Sequence, residues 1–377
     1  MNDQKTLVGD VNGGRMRENY EIRFIKPCRH RFEEHRDLTP QYARNVFASG
    51  RMVQINLDNC SIQRMERLPA SPSRSDAEEV GLLPLVDLLT QAPVCLTAIG
   101  VNEMPENKVA FAKTAYENFC ASFWPGHRDD VEATQRPYDP ASTAKNVSFS
   151  KLNDGERLAY GCAYVSLLQM QNIARRYSQL LPEQRFECYL HSIVGMLDIV
   201  NAFELELAKY AFWSLNATEI NQLPQSLQDR RRDIHQNFTK LWATTEKCRL
   251  AAFNGAMDIF WLNGANFADE LGLTLDMGFK RVPLENWVGT TDHKLFRICK
   301  DIHSTFGEGS QLKHLAVSRH FLDDMTYWKN VDGIAHAILF YRRRAGYSGV
   351  DNLLERIDAS VKYVEQELAE VLGQSLQ

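Results

Sequence analysis

The chain has 377 residues, of which 44% are hydrophobic and 24% are charged, a composition typical of a folded protein with a large core. A formal net charge of −5 excludes a protein that attracts nucleic acid through its overall charge, so any such contact requires local basic clusters. The eight cysteines show no C-x-x-C spacing, which argues against a disulfide framework or a zinc site.

The first fifty residues are polar, with turn signals at Gly13-Gly14 and Thr39-Pro40, and they predict an N-terminal arm or small subdomain. Nothing in this segment is typical of a secretion signal, and no apolar run along the chain approaches the ~20 residues that span a bilayer. We therefore expect a cytoplasmic protein without a membrane partner.

Residues 51–123 alternate apolar strands with helices. The run "RMVQINLDNC" predicts a buried strand that ends at Asp58, and "PVCLTAIGVNEM" predicts a second one that ends near Glu103. Between them, "AEEVGLLPLVDLLTQ" predicts one amphipathic helix capped by Ser75 or Asp76.

Residues 124–237 begin with a loop rich in Pro, Asp and Ser and continue as long helical patterns, which predicts a mainly helical insertion. In 238–306, "EKCRLAAFNGAMDIFWLNGANFADEL" is helical, and "NWVGTTD" predicts a strand that turns directly into a further helix. Residues 307–377 predict a helical C-terminal extension.

Four acidic residues have unusual positions. Asp58 and Asp292 end strands, Glu103 closes an apolar segment, and Asp258 interrupts the apolar face of a helix one turn after Asn254. Because the carboxyl ends of parallel strands meet at one sheet edge, we expect Asp58 and Asp292 to converge there. Gathered carboxylates repel one another, and a hard cation such as Mg²⁺ or Mn²⁺ removes that penalty.

Each acid also has an ordinary structural interpretation. Asp58 is compatible with a turn before a helix, Asp292 with a helix N-cap, and Glu103 with an acid in a first helical turn. Asp258 is compatible with an ion pair to Arg249.

Four segments together resemble the PIN domain family of metal-dependent nucleases, in the order of that family. "LDNCSIQR" resembles the opening signature, a strand followed by an aspartate and a helix, and "LTAIGVNEM" is similar to the second motif. "NGAMDIFWL" resembles the third motif and "VGTTDHKL" the fourth. The matching positions are Asp58, Glu103, Asp258, and Thr290 or Thr291 with Asp292.

The resemblance implies an α/β fold with a small parallel sheet and flanking helices. The core would consist of residues 51–123 and 238–306, separated by the helical insertion of 124–237. It also implies a pocket in which Asp58, Glu103, Asp258 and Asp292 bind Mg²⁺ or Mn²⁺ and catalyse phosphodiester hydrolysis, most often in RNA. Asn254, Thr290 and Thr291 would hold these carboxylates in place.

Basic residues supply candidate nucleic-acid contacts. Two of them, Lys294 and Arg297, follow Asp292 on the predicted helix. The others form two runs that we expect to line a substrate groove: Arg230, Arg231 and Arg232, and Arg342, Arg343 and Arg344.

Two alternatives to a nuclease remain open at this point. One is a helical interaction protein on a degenerate PIN-like core, in which the acids serve as caps and the insertion binds a protein partner or a second copy. The other is a phosphatase of the haloacid dehalogenase type, although that chemistry requires a second aspartate at position 60, which is Cys60.

Overall fold

The computed structural model describes residues 21–30, 34–125, 149–270, 274–276, 281–306, 313–346 and 352–374. Residues 1–20 and 31–33 of the predicted N-terminal arm lie outside these ranges, as do residues 126–148 near the start of the predicted insertion. Within the described ranges, no helix is both long and apolar enough to cross a membrane.

The strands and helices are numbered in chain order. The strands are β1 (Arg23–Ile25), β2 (Cys28–His30), β3 (Met52–Leu57), β4 (Val94–Thr97), β5 (Thr274–Asp276), β6 (Arg281–Thr290), β7 (Ile302–Phe306) and β8 (Lys313–Val317). The α-helices are α1 (Pro40–Ala48), α2 (Asn59–Met65), α3 (Arg74–Glu79), α4 (Leu83–Gln91), α5 (Glu106–Phe123), α6 (Asp154–Arg176), α7 (Pro182–Leu197), α8 (Ala202–Phe212), α9 (Ala217–Gln222), α10 (Gln225–Ile234), α11 (Thr245–Glu270), α12 (His293–Asp301), α13 (Thr326–Ala345) and α14 (Leu353–Leu372).

The chain divides into two compact units. The sheet unit comprises Met1–Lys26, His35–Lys145 and Ala265–Phe296, and the helical unit comprises Pro27–Glu34, Asn146–Gly264 and Arg297–Gln377. The second part of the predicted core was expected to begin at residue 238, whereas the observed division places most of α11 in the helical unit.

The sheet unit contains a sheet with the order β1-β6-β3-β4, and β5 pairs with β6 beside it. The strands β6, β3 and β4 run parallel, whereas β1 and β5 are antiparallel to β6. The predicted α/β class is therefore confirmed, with a mixed sheet in place of a purely parallel one.

One face of this sheet forms the apolar core of the unit. Side chains alternate along a strand, so Val53, Ile55 and Leu57 point to the same face, and Trp287 pairs with Ile55 in the neighbouring strand. All four are fully buried in one cluster with residues of α1, α4 and α5. This packing fixes which residues of β3 face away from the core.

The opposite face is buried but polar. Asn56 donates from its side-chain amide to Asn286 Oδ1 at 3.3 Å and to the Trp287 carbonyl at 3.1 Å. Gln54 donates to Asn56 Oδ1 at 3.1 Å. These bonds satisfy amides that would otherwise destabilise a buried surface.

The predicted helix at 77–91 is instead two helices. Ser73 caps α3 and forms a reciprocal capping box with Asp76, so the cap lies earlier than predicted. Gly81 then adopts a left-handed φ of 78°, and Pro84 lies in the first turn of α4. Glycine and proline together end one helix and begin the next.

The helical unit packs α6 against α7, α8 and α14, and a small sheet has the order β2-β7-β8. Four of its charged side chains form one ion-pair network. Asp332 accepts from Lys209 Nζ at 2.5 Å and from Arg319 Nη1 at 2.7 Å, and Glu206 pairs with the same two cations. Pairing of this kind offsets the cost of removing the four groups from water.

Gly100 lies where the chain leaves β4 and crosses the turn after β3. A Cβ atom at this position would lie 2.4 Å from Asn59 N, 2.5 Å from Leu57 O and 2.7 Å from Asp58 C. These are backbone atoms, which cannot rotate away as a side chain can. Glycine is therefore required for the close approach of the two segments.

We expect Gly100→Ala to destabilise the protein by about 1–3 kcal/mol or more, because the added methyl group forces the backbone of the sheet edge apart. The measurement is urea unfolding followed by circular dichroism. The matched control is Gly195→Ala, at a helical position with no atom within 4 Å of the added Cβ. The control should be stabilised by about 0.5–1 kcal/mol, and equal effects at both positions would contradict the close approach.

Candidate active site

The register of β3 and β6 brings their carboxyl ends together. Leu57 lies opposite Gly289, and the next residues, Asp58 and Thr290, are adjacent across the two strands. The Gly289 carbonyl accepts from Asp58 N at 3.0 Å and from Ser61 Oγ at 2.9 Å. The turn after β3 is thus held directly against the last residues of β6.

Asp58 is a buried carboxylate, 5% exposed, at the N-cap position of α2. Its Oδ2 accepts a hydrogen bond from Thr290 Oγ1 at 2.6 Å and one from the Cys60 thiol at 2.9 Å. Burial raises the pKa of Asp58 and the negative charge of Asp292 raises it further, whereas the bonds from Cys60 and Thr290 oppose the shift. Asp58 and Asp292 are therefore electrostatic neighbours.

Asp292 caps α12, as one of its two interpretations predicted. Its Oδ1 accepts from the backbone N–H groups of Lys294 at 2.8 Å and Leu295 at 3.2 Å. Its own N–H donates to Thr290 Oγ1 at 2.9 Å. The Thr290 hydroxyl consequently links the two aspartates, since it donates to Asp58 and accepts from Asp292.

Cys60 lies inside the same cluster. Its Sγ is 3.2 Å from Thr290 Oγ1 and accepts from Thr291 N at 3.2 Å. Burial, and then the charge of Asp58, raise the pKa of the Cys60 thiol well above its usual range. The protonated thiol is thus the form that donates to Asp58, and it supports the carboxylate as a small polar residue would.

Glu103 lies at the end of the 3-10 helix Ile99–Glu103 that follows β4. It is half-buried, and Gly100 in the same helix lies against the Asp58 turn. The strand order β6-β3-β4 therefore places three predicted acids after three neighbouring parallel strands.

Sequence patterns did not reveal the polar surface beside this edge. Thr97, at the end of β4, lies opposite Asn56 in the register, and its buried hydroxyl has no hydrogen-bond partner among the described residues. Alternation along β3 places Asn56 on the same face as Asp58. The polar residues at every second position of β3 could have revealed Asn56 in the sequence. Thr97 could not be found in this way, because only the pairing of β4 with β3 places it beside Asn56.

Asp258 belongs to the helical unit, whereas the other three acids belong to the sheet unit. It is half-buried on α11, and Asn254 one turn earlier is exposed. Throughout the described ranges, no group of three or more His, Cys, Asp or Glu side chains is placed to hold a metal ion. The closest arrangement to the predicted pocket is the pair Asp58 and Asp292.

The first basic run is engaged within the helical unit. Arg230 is buried, and its guanidinium contacts Asp301 Oδ2 at 2.7 Å and donates to the Ser318 carbonyl at 2.7 Å. Arg231 lies over the Trp213 ring, and Arg232 is exposed and paired with Asp229. These contacts give Arg230 a structural role and argue against its predicted contact with nucleic acid.

Of the other basic residues predicted to contact nucleic acid, some are also engaged in ion pairs and others are not. Arg297 forms a two-pronged ion pair with Asp233, at 2.7 and 2.9 Å. Arg342 is bound to Asp198 at 2.7 Å and is largely buried. Lys294, in contrast, is half-buried and makes no side-chain ion pair with the residues that the structure describes.

Comparison with protein-family models, with curated proteins and with solved structures found no match. Function must therefore be inferred from the geometry of the sheet edge itself.

We expect Asp58→Asn to raise the Tm at pH 8 by a few degrees, because the amide oxygen still accepts from Thr290 and Cys60 but carries no buried charge. The raised pKa of Asp58 means that its contribution to stability is greatest below about pH 4 and is lost as pH rises. The rise in Tm caused by Asp58→Asn should therefore shrink toward zero at pH 4.

The measurement is thermal unfolding at pH 4, 6 and 8. The surface variant Asp87→Asn is the control and should show no comparable rise at pH 8. A lower Tm for Asp58→Asn at pH 8 would show that the charged form stabilises the fold.

Proposed function

We propose that the protein is a metal-dependent nuclease that hydrolyses phosphodiester bonds, with RNA as the favoured substrate. The observation that carries this proposal is the convergence of Asp58 and Asp292 after adjacent parallel strands, where the Thr290 hydroxyl donates to Asp58 and accepts from the Asp292 N–H. A buried carboxylate beside a second carboxylate destabilises a fold, and such arrangements concentrate at functional sites.

The residues present suit Mg²⁺ or Mn²⁺ bound partly by the substrate. Mg²⁺ retains several waters and is usually bound through one or two carboxylates together with phosphate oxygens of the substrate. Two aspartates are therefore enough protein ligands for this ion. Asp58 and Asp292 would hold the ion, with Glu103 bound through water. A bound divalent ion would activate water and stabilise the charge that develops on the phosphodiester.

The chain itself positions the two carboxylates. Thr290 fixes the orientation of Asp58 Oδ2 and, through the Asp292 N–H, the backbone from which the second carboxylate projects. Asp292 uses Oδ1 as a helix cap, and capping does not exclude ion binding by the same group. Lys294 is the second residue of that helix and would contact a phosphate of the substrate.

A non-catalytic scaffold is the second candidate. Two observations favour it: the helix-capping role of Asp292, and the lack of a three-acid group in the described part of the chain. On this alternative the buried charge of Asp58 is a structural cost without a function. The experiments below separate the two candidates.

We expect the wild-type protein to cleave mixed RNA and DNA only when Mn²⁺ or Mg²⁺ is added, and to gain thermal stability from Mn²⁺. Asp58→Asn and Asp292→Asn should each lower cleavage by at least about 100-fold, since each removes a proposed ligand. Electrophoresis of labelled strands measures cleavage, and differential scanning fluorimetry measures the stabilisation.

Asp258→Asn is the matched control, because Asp258 belongs to the helical unit. Retained activity of this variant supports a site made by the sheet unit alone. A wild-type protein with neither cleavage nor a Mn²⁺-dependent Tm shift would exclude the nuclease and favour the scaffold.

Thr290→Val should lower cleavage by about 10- to 100-fold, because it removes the hydroxyl that joins the two aspartates while preserving the shape of the side chain. Thr290→Ser retains the hydroxyl and should keep most of the activity. Equal losses in both variants would indicate a packing effect in place of a positioning role.

A further inference from the structure

Helix α13 has an anchored face and an exposed face. The anchored face begins with Trp328, Val331 and Ala335, which are buried in the helical unit. It continues with Arg342, whose ion pair with Asp198 fixes the end of the helix. Phe340 and Arg344, which lie on the opposite side of the helix from these anchors, are exposed.

The exposed face carries a row of flat, π-rich side chains. His336, Phe340 and Arg344 follow one another at a spacing of four residues, which places them on one side of the helix. The His336 and Phe340 rings lie nearly parallel, with centroids 6.3 Å apart, and the Arg344 guanidinium lies 5.8 Å from the Phe340 centroid. This row extends about 12 Å along the helix.

Tyr341 and Arg343 flank this row on its two opposite sides, Arg343 three residues after Phe340 and Tyr341 three residues before Arg344. The Tyr341 side chain is 70% exposed and meets the 48% exposed Phe340 edge-on at 5.9 Å. Neither Arg343 nor Arg344 forms an ion pair with any residue in the described ranges. Two large aromatic rings are therefore exposed beside two arginines that have no acidic partner in the described part of the chain, which is unusual for a surface without a binding role.

We propose that this surface, formed by His336, Phe340, Tyr341, Arg343 and Arg344, binds single-stranded nucleic acid of the kind that the proposed nuclease would cleave. The inference rests on the proposed nuclease function. Unpaired bases stack on aromatic faces regardless of sequence, and arginine both stacks and binds phosphate. The row has the chemistry for two or three stacked nucleotides.

Other occupants fit this chemistry less well. A second copy of the chain in a two-fold contact would bring the arginines of both copies, four in all, into one interface, and like charges repel. A duplex hides the faces of its bases, so the aromatic rings would have nothing to stack upon. The surface therefore favours single strands over duplexes of equal charge.

The test uses the full chain in excess EDTA, so that binding is measured without cleavage. The probes are fluorescein-labelled RNA and DNA single strands of about 12 nucleotides and the corresponding duplex, followed by fluorescence anisotropy. The variants are Phe340→Ser, Tyr341→Ser, and Arg343→Gln with Arg344→Gln. All four positions are exposed, so an unchanged Tm is expected and is measured to establish folding.

Each aromatic variant should weaken single-strand binding at least about 5-fold, with a smaller effect on the duplex. The double arginine variant should weaken binding to both and reduce its dependence on salt. The control is Phe111→Ser, at a phenylalanine that is 56% exposed on α5 of the sheet unit, and it should bind as the wild type does.

The failures of the two proposals can be distinguished. Aromatic-dependent strand binding without any cleavage after Mn²⁺ is added would retain the surface and exclude the nuclease. Cleavage by the wild type, with unaltered binding in the aromatic variants, would overturn the surface and retain the nuclease. Absence of strand binding by the wild type, or a wild-type dimer that Tyr341→Ser converts to a monomer, would also overturn the surface.

Discussion

Strand β3 pairs in parallel with β6, with Leu57 opposite Gly289, and the candidate site exists because of this register. Side chains alternate along a strand, so a slip of one residue would turn Asp58 toward the apolar face and bring Leu57 out of the core. The tight core around Val53, Ile55 and Trp287 prevents such a slip. Hydrophobic packing on one face of the sheet thus determines the polar chemistry on the other.

The cost of this arrangement falls on Asp58. Its burial and the proximity of Asp292 both favour the protonated carboxyl, whereas Thr290 and Cys60 favour the charge. The hydroxyl and the thiol offset part of a penalty that an apolar residue at this position would avoid altogether. Retention of a destabilising group within a well-packed unit is typical of sites where activity and stability compete.

Local patterns in the sequence predicted what local physics controls. The strand before Asp58 follows from its apolar residues, and the helix after Asp292 follows from the cap that this residue provides. Gly81 and Pro84 divide a helix that periodicity alone joined, because backbone geometry overrides an amphipathic pattern. Distant contacts decided the rest: Arg230 lies in a basic run, yet its pairing with Asp301 depends on a strand-and-helix segment seventy residues away.

The 232 residues that separate Asp58 from Thr290 along the chain affect when the candidate site can assemble. A ribosome adds about 5–20 residues each second and the N-terminal part of a chain emerges first, so β3 must wait on the order of ten seconds or more for β6. During that interval Asp58 has no Asp292 beside it, and neither Thr290 nor the Gly289 carbonyl is present to orient it. The nascent chain therefore carries half of a site, and the complete carboxylate pair forms only after Thr290 and Asp292 have been synthesised.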